Sequence, residues 1–259
     1  MITVTFNSAA TLREFWVNST WTESIEWIVV DNASSDDSVA VAESLGARVI
    51  PLSENRGFSY ANNVGAATSS SDVLLFANPD LRFNNSEIQP LAHRALACQG
   101  IVAPQLLNPD GSPQENGRGI PYIHRKLRHM FGSQHPQTDP YLIIAKPDEV
   151  VETLWVMGAA LAIPRIVFES LGGWDDQFFI YYEDHDLGIR ARRAGFPVTI
   201  DGSIRWVHGW ARETSRTRSL SPWKHELASA FRFYIRFPWA FAPVLPPPRY
   251  TNLNRNLLS

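Results

Sequence analysis

One cysteine, Cys98, stands in a chain of 259 residues, which excludes an internal disulfide and a cysteine-rich zinc site. It lies in the helix-like run EIQPLAHRALAC, where a small buried side chain is the expectation, and it is assigned no chemistry. Long apolar runs are missing too. The longest, LWVMGAALAIP, falls well short of the ~20 residues of a membrane span and contains Gly and Pro. The chain opens on the strand-like MITVTF with no basic leader or cleavage site, so the expected location is cytoplasmic. There is no GxxxxGK[ST], and no GxGxxG follows the first strand, which argues against a P-loop ATPase and a dinucleotide oxidoreductase. No nucleic-acid partner is expected. The net charge of −3 conceals an asymmetry, because residues 186–259 carry twelve Arg or Lys against four Asp or Glu. That basic end suits phosphates or an anionic membrane at the inner face.

A hydrophobic content of 44% supplies a substantial core, and the length suits one large α/β domain. The first half alternates strands with helices: ITVTF, TLREFWVNST, EWIVVD, SSDDSVAVAESLG, ARVIPL, FSYANNVGAAT, DVLLFANPD and SEIQPLAHRALAC. Such alternation predicts a mostly parallel sheet with helices on both faces, and ligands in such sheets bind beyond the carboxyl ends of the strands. Polar residues gather at four of those ends: Asn7, then Asp31 and Asn32, then Asn55 and Arg56, then Asn78 to Asp80. Any one would be an ordinary turn former, whereas four in succession predict a nucleotide-sized site. The second half is less regular. QLLNPDGSPQ predicts a hairpin, GRGIPYIHRKLRHMFGSQHPQTDPY a mobile loop, PVTIDGSIRWVH a strand pair, and SPWKHELASAFRFYIRFPW a closing helix.

The densest chemistry is FFIYYEDHDLGIR, residues 178–190, where apolar residues run into three acids and a histidine. Acids ahead of LGIRARRAG would cap a helix, with Gly195 as its stop. Capping does not explain the apolar approach, which predicts a strand or buried loop delivering carboxylates to a partly dry cleft.

In order along the chain, VTFNS, VVDNASSDDS, ENRGFSYANNVG, FANPD, PQLLNPDGSPQ, MGAALAIPR, GGWDDQFFIYYEDHDLGIRARRAG and VHGWARET resemble the inverting glycosyltransferases of family 2, in their rhamnosyltransferase-like branch. The resemblance covers about residues 1–215, leaving 216–259 as a C-terminal helix and tail that packs on the domain or lies near a membrane. It implies a single GT-A domain, a Rossmann-like nucleotide-diphospho-sugar transferase fold. It also implies a UDP- or dTDP-linked donor, with dTDP-rhamnose one candidate, and a glycan, lipid-linked or small-molecule acceptor. Nucleotide contacts are implied for Thr5, Asn7, Asp31, Asn55, Arg56 and Asn78, with Asp31 accepting a pyrimidine N3–H. Asn78-Pro79-Asp80 stands where the family usually has Asp-x-Asp, so Asp80 corresponds to the acid for Mg²⁺ or Mn²⁺ and Asn78 departs from the pattern. The same tripeptide recurs at Asn108-Pro109-Asp110, where Gly111 favours a plain turn.

By the same resemblance His208 corresponds to a third metal ligand, although a histidine after a strand is often structural. Asp184 corresponds to the general base, Glu183 to an acid that holds the acceptor or orients Asp184, and Asp186 to a helix-start acid. Trp155, Gly158, Ala159 and Trp174 suit a sugar pocket, with core packing the competing role for Trp155. In the closing helix Trp223, Leu227, Phe231 and Tyr234 form a stripe expected to pack on the domain, with peripheral membrane contact as the second role. Two rivals remain at this stage: a non-catalytic nucleotide-sugar or glycan-binding module, and a sugar nucleotidyltransferase. The latter would carry a glycine-rich basic loop where NSAATLREF stands.

Overall fold

The computed structural model describes residues 1–123, 141–209 and 221–241, apart from 18, 20 and 23, and leaves out the side chains of 221–223. Four short strands open the chain: β1 (Ile2–Thr5), β2 (Ile28–Asp31), β3 (Arg48–Pro51) and β4 (Val73–Ala77), separated by α1 (Ala9–Trp16), α2 (Ser38–Ser44) and α3 (Phe58–Thr68). After β5 (Leu81–Arg82) and a single 3-10 turn come α4 (Ile88–Cys98), β6 (Ile101–Leu107) and the small strands β7 (Gly117–Arg118), β8 (Leu142–Ile143), β9 (Val150–Glu152) and β10 (Trp155–Val156). The chain continues through β11 (Ala160–Pro164), α5 (Arg165–Ser170), α6 (Glu183–Arg193), β12 (Val198–His208), α7 (Ser221–Arg236) and α8 (Pro238–Phe241).

The main sheet runs β3-β2-β1-β4-β11-β6-β12-β5, with β9 also on β12, and β10-β7-β8 form a second small sheet. Strands β1 to β4, β6 and β12 run one way while β11, β5 and β9 oppose them, so the sheet is mixed but mostly parallel. Burial on both faces explains the near-continuous apolar reading of strands such as IVVD. Alternate residues of β4 divide between the two cores. Leu75 and Ala77 pack with Leu12 and Trp16 of α1 and Leu91 of α4, whereas Leu74 and Phe76 pack with Ala66 of α3, Phe168 of α5 and Leu187 of α6. Because the central strands are parallel, their polar carboxyl ends share one edge, as expected from the sequence.

Four expectations need correction. PVTIDGSIRWVH is one strand, β12, with a register shift between Asp201 and Arg205, because Asp201 Oδ1 accepts the Ser203 N–H (3.0 Å) and the turn-like Asp-Gly-Ser is absorbed as a bulge. Cys98 is exposed at the end of α4. The polar stretch after residue 116 contributes β7 and β8 to a sheet, while 124–140 lie outside the described residues, as do the expected boundary at 215 and most of VHGWARET. The closing helix is the fourth. Phe233 and Phe237 are its packed residues and Tyr234 is half-buried, while Leu227 and Phe231 are exposed; the Trp223 side chain is outside the description.

Helix α7 grips the loop ahead of α6. Ser229 Oγ donates to Ile180 O (2.8 Å), Arg232 donates to Gln177 O, and Arg236 pairs with Asp175 and with Asp186 (2.8 Å). Asp186 lies in the first turn of α6, the helix-start position expected, and it is also a buried ionic centre, 0% exposed and accepting from Arg190 (2.6 Å). Among the described residues no helix is long and apolar enough to cross a membrane. Replacing Arg236 by Met is expected to lower the unfolding free energy by about 2 kcal/mol, less than a fully broken buried pair because Arg190 remains. A urea midpoint equal to that of the parent chain would show that Arg190 alone neutralises Asp186.

Candidate active site

The first wall is built by the ends of β1 and β2. Asp31 closes β2 at 2% exposure, and its Oδ1 accepts from the hydroxyls of Thr5 (2.8 Å) and Ser34 (2.5 Å), while Oδ2 accepts the Ser34 N–H (2.8 Å). Thr5, buried on β1, therefore orients Asp31. Asn7 is exposed with φ 50 and ties the same loop, its Oδ1 accepting the Ser35 N–H (2.8 Å). Asn32 is a clamp that sequence reasoning left without a role. Its Nδ2 donates to Gly57 O (3.1 Å) and its Oδ1 accepts the Arg56 N–H (2.9 Å), which holds the β3–α3 loop against the end of β2. In that loop Asn55 Oδ1 accepts the Gly57 N–H (3.0 Å), and the exposed Arg56 guanidinium lies 3.8 Å over the Tyr60 ring.

The floor lies at the end of β4. The Asn78 N–H donates to Ala159 O (2.8 Å), and one residue earlier the Gly158 N–H donates to Asp184 Oδ2 (3.2 Å). Two main-chain groups thus link the Asn-Pro-Asp turn to the first turn of α6. Asp80 is brought beside His208 by the pairing of β5 with β12, with Asp80 Oδ1 3.4 Å from His208 Nε2. His208 Nδ1 lies 2.9 Å from Gln114 Oε1, and Gln114 Nε2 donates to His208 O (3.1 Å), which fixes that amide's orientation. Nδ1 therefore donates to Gln114, and Nε2 is the ring nitrogen that faces the carboxylate. An imidazole oriented through its far nitrogen beside a carboxylate is the arrangement that metal sites use, so the residues fit a divalent cation. Among the described residues no third His, Cys, Asp or Glu completes a protein-only cage, which leaves positions for phosphate oxygens and water. Asn108-Pro109-Asp110 is a turn, as expected, with Asp110 Oδ1 accepting the Ser112 N–H (2.9 Å).

The acids of FFIYYEDHDLGIR arrive through a sharp corner and not a strand. Tyr181 and Tyr182 both have positive φ (68 and 69), a conformation that costs on the order of 1–3 kcal/mol per residue and persists where packing enforces it. Tyr182 is buried against His185, Phe233 and Tyr234. Glu183 is buried, whereas the Asp184 side chain is 15% exposed and reaches the site. His185 had no assigned role; its Nδ1 lies 2.6 Å from Asp184 Oδ1, and its ring stacks on Trp155 at 3.5 Å. The only sequence signal for it is a histidine between acids. Trp155 is accordingly buried as the support of His185, and Trp174 is core, edge-on to Phe58 and Phe76, so neither indole forms an open sugar platform. A Cβ at Gly158 would meet Phe58 at 3.5 Å and Asp184 Cβ at 3.6 Å, which is ordinary contact, so the protein alone does not demand glycine there. Ala159 is buried in the upper core and contributes its carbonyl. The two walls touch where Phe179 O accepts the Phe58 N–H (2.7 Å); Gly57, at φ 86, leaves no room there for a side chain.

Comparison with known proteins matches residues 1–146 to the model of "Glycosyl transferase family 2". An N-acetylglucosaminyl-diphospho-decaprenol L-rhamnosyltransferase of Mycobacterium tuberculosis is 27% identical over 237 residues, 83% of this chain and 77% of that protein. The low-salt glycan biosynthesis hexosyltransferase Agl10 of Haloferax volcanii is 28% identical over 204 residues, 75% of this chain and 62% of its own. Among solved structures, GalNAc-T7 with UDP, GalNAc and Mn²⁺ superposes with a TM-score of 0.63 at 17% identity, covering 98% of this chain. This chain spans only 52% of that structure. The mannosyltransferase PcManGT of Pyrobaculum calidifontis, with GDP-Man and Mn²⁺, gives 0.57 at 16%, covering 92% of this chain and 70% of that one. Those structures share the GT-A architecture, the family model spans more than half of the sequence, and the chain belongs to glycosyl transferase family 2.

Proposed function

We propose that this glycosyltransferase acts with inversion, moving a sugar from a UDP- or dTDP-linked donor to a hydroxyl of a glycan, lipid-linked or small-molecule acceptor, on the cytoplasmic side of a membrane. The observation that carries the reading is Asp184, a part-exposed carboxylate held on one oxygen by the Gly158 N–H and on the other by His185, next to the turn that carries Asp80. The rhamnosyltransferase names of the relatives favour dTDP-rhamnose, and the decaprenol in one of them favours a lipid-linked acceptor.

In this reading Asp31 and the clamped Asn55–Arg56 loop receive the base and ribose. Asp31 Oδ2 accepts one protein hydrogen bond and retains capacity for a pyrimidine N3–H. Asp184 takes the proton from the acceptor hydroxyl as its oxygen bonds to the anomeric carbon and the bond to the diphosphate breaks on the opposite face. One carboxylate suffices for this single displacement. His185 acts through Asp184 by fixing its rotamer, and the buried Glu183 supports the same turn. Asp80 and His208 would hold a divalent cation together with the donor's phosphates, and a bound cation would neutralise the leaving diphosphate. Helices α7 and α8 are appended to the catalytic domain, with peripheral membrane contact as part of the same reading.

Three measurements test these assignments. By calorimetry UDP and dTDP should bind more tightly than GDP, and Asp31→Asn should weaken the pyrimidine nucleotides by about tenfold, the loss of one hydrogen bond to a charged acceptor. Equal binding of GDP would remove the base assignment. Chelator should weaken UDP binding and added Mn²⁺ or Mg²⁺ restore it in the parent chain, whereas Asp80→Ala should be indifferent to both. A parent chain equally indifferent would leave arginines to neutralise the phosphates. Asp184→Asn should keep donor affinity and melting temperature while transfer falls by ~10²–10⁴-fold. His185→Phe, which keeps a stacked ring, should lower kcat by up to about 10²-fold at unchanged donor affinity, and Glu183→Gln should be milder than Asp184→Asn. An Asp184→Asn protein that melts early yet turns over normally would make the acids helix caps, and donor binding without release would describe a binding module.

A further inference from the structure

The closing helix α7 has two faces of opposite character. One carries Ser229 and Phe233, is continued by Phe237 just past the helix end, and is packed on the loop and helix that present Asp184. Roughly half a turn away, at four-residue spacing, Leu227, Phe231 and Ile235 are 66%, 71% and 64% exposed. Phe241 of α8 is exposed as well, and its ring lies 6.1 Å from that of Tyr234. An apolar stripe this regular, left in solvent, marks a contact surface.

Charge identifies the occupant. Residues 216–259 contain seven Arg or Lys and a single acid, Glu226. Helical spacing puts Glu226 on the packed side, near Phe233, and puts the exposed Lys224 within the apolar stripe, with Arg232 on its flank. A helix with an apolar stripe, basic flanks and no acid on that face is built to lie in the headgroup layer of an anionic bilayer. A second copy of the chain would bring the same positive charges against themselves.

We infer that α7 and the end of α8 form a docking surface for an anionic lipid membrane, with Leu227, Phe231, Ile235 and Phe241 entering the headgroup region and Lys224 meeting lipid phosphates. Because the opposite face of α7 holds Ile180, Asp175 and Asp186, and Arg232 at its flank holds Gln177, the membrane-contacting element and the mounting of Asp184 are one rigid piece. Docking would therefore hold Asp184 and its mounting close to the bilayer surface. This inference rests on the proposed lipid-linked acceptor only for its purpose, and the surface itself can be tested without turnover.

The test is cosedimentation of the full chain with vesicles of phosphatidylcholine alone or mixed with phosphatidylglycerol, at low and high salt. The parent chain should bind the mixed vesicles and not phosphatidylcholine alone, and salt should release it. The triple change Leu227→Ser, Phe231→Ser, Ile235→Ser should cut partition by at least about tenfold, and Lys224→Gln by about fivefold. Both should leave melting temperature and transfer to a short, water-soluble acceptor unchanged. No binding to mixed vesicles, or equal binding by the triple variant, overturns the inference. So does a concentration-dependent dimer of the parent chain that the triple variant abolishes, since the stripe would then meet a second copy. Vesicle binding by a chain that releases no sugar from any donor would leave the docking surface standing and the transferase reading refuted; active chain that ignores vesicles would do the reverse.

Discussion

A carboxylate with no access to water must be matched by charge, and Asp186 imposes that requirement on everything around it. Its two cations come from different places: Arg190 from the next turn of its own helix and Arg236 from the far end of α7. Arg190 also donates to Leu171 O (2.5 Å) and Gly173 O (2.9 Å), and Arg236 reaches Asp175. One buried charge thereby fixes the roll of α6, the path of the chain after α5 and the seat of α7. Asp184, two residues before Asp186, inherits its direction from this arrangement.

The corner at Tyr181–Tyr182 depends on the same packing. Two successive left-handed residues without glycine would relax if their side chains were free; here the Tyr182 ring is trapped between His185 and α7, and Tyr181 packs partly buried against the same cluster. Burial pushes the Tyr234 phenol up to about 12 and drives that of Tyr182 higher still. Both phenols stay neutral throughout the physiological range and add no charge beside the Asp184–His185 pair. The dry wall strengthens the hydrogen bond between those two residues.

The alternating half of the chain was legible because its information is local. Apolar runs such as IVVD and VLLFA mark buried strands, and polar residues at their ends mark the ligand edge wherever strands are parallel. Asp31, Asp80, His208 and Asp184 were singled out individually by type and motif context, and their roles stand as proposals. Their partners were not, because Gln114, Asn32 and the Gly158 N–H act across pairings or loops that no periodicity encodes. The tryptophans misled for a related reason. An aromatic residue near a motif reads as a platform, whereas Trp155 and Trp174 were needed as supports behind the site. In the closing helix an apolar stripe at helical spacing reads as the packed face, and the sequence contained two such stripes, of which Phe233 and Phe237 won.

Two joints of this site are made wholly in main chain, Asn78 N–H to Ala159 O and Phe58 N–H to Phe179 O, and a third, Gly158 N–H to Asp184 Oδ2, is main chain on one side. Peptide groups are present whatever the residue, so the frame survives substitutions that alter its lining. That accounts for an asparagine at the first position of the Asn-Pro-Asp turn, where the contribution to architecture is an amide hydrogen that aspartate would supply equally. Side chains around such joints can therefore be exchanged without moving the backbone that carries them.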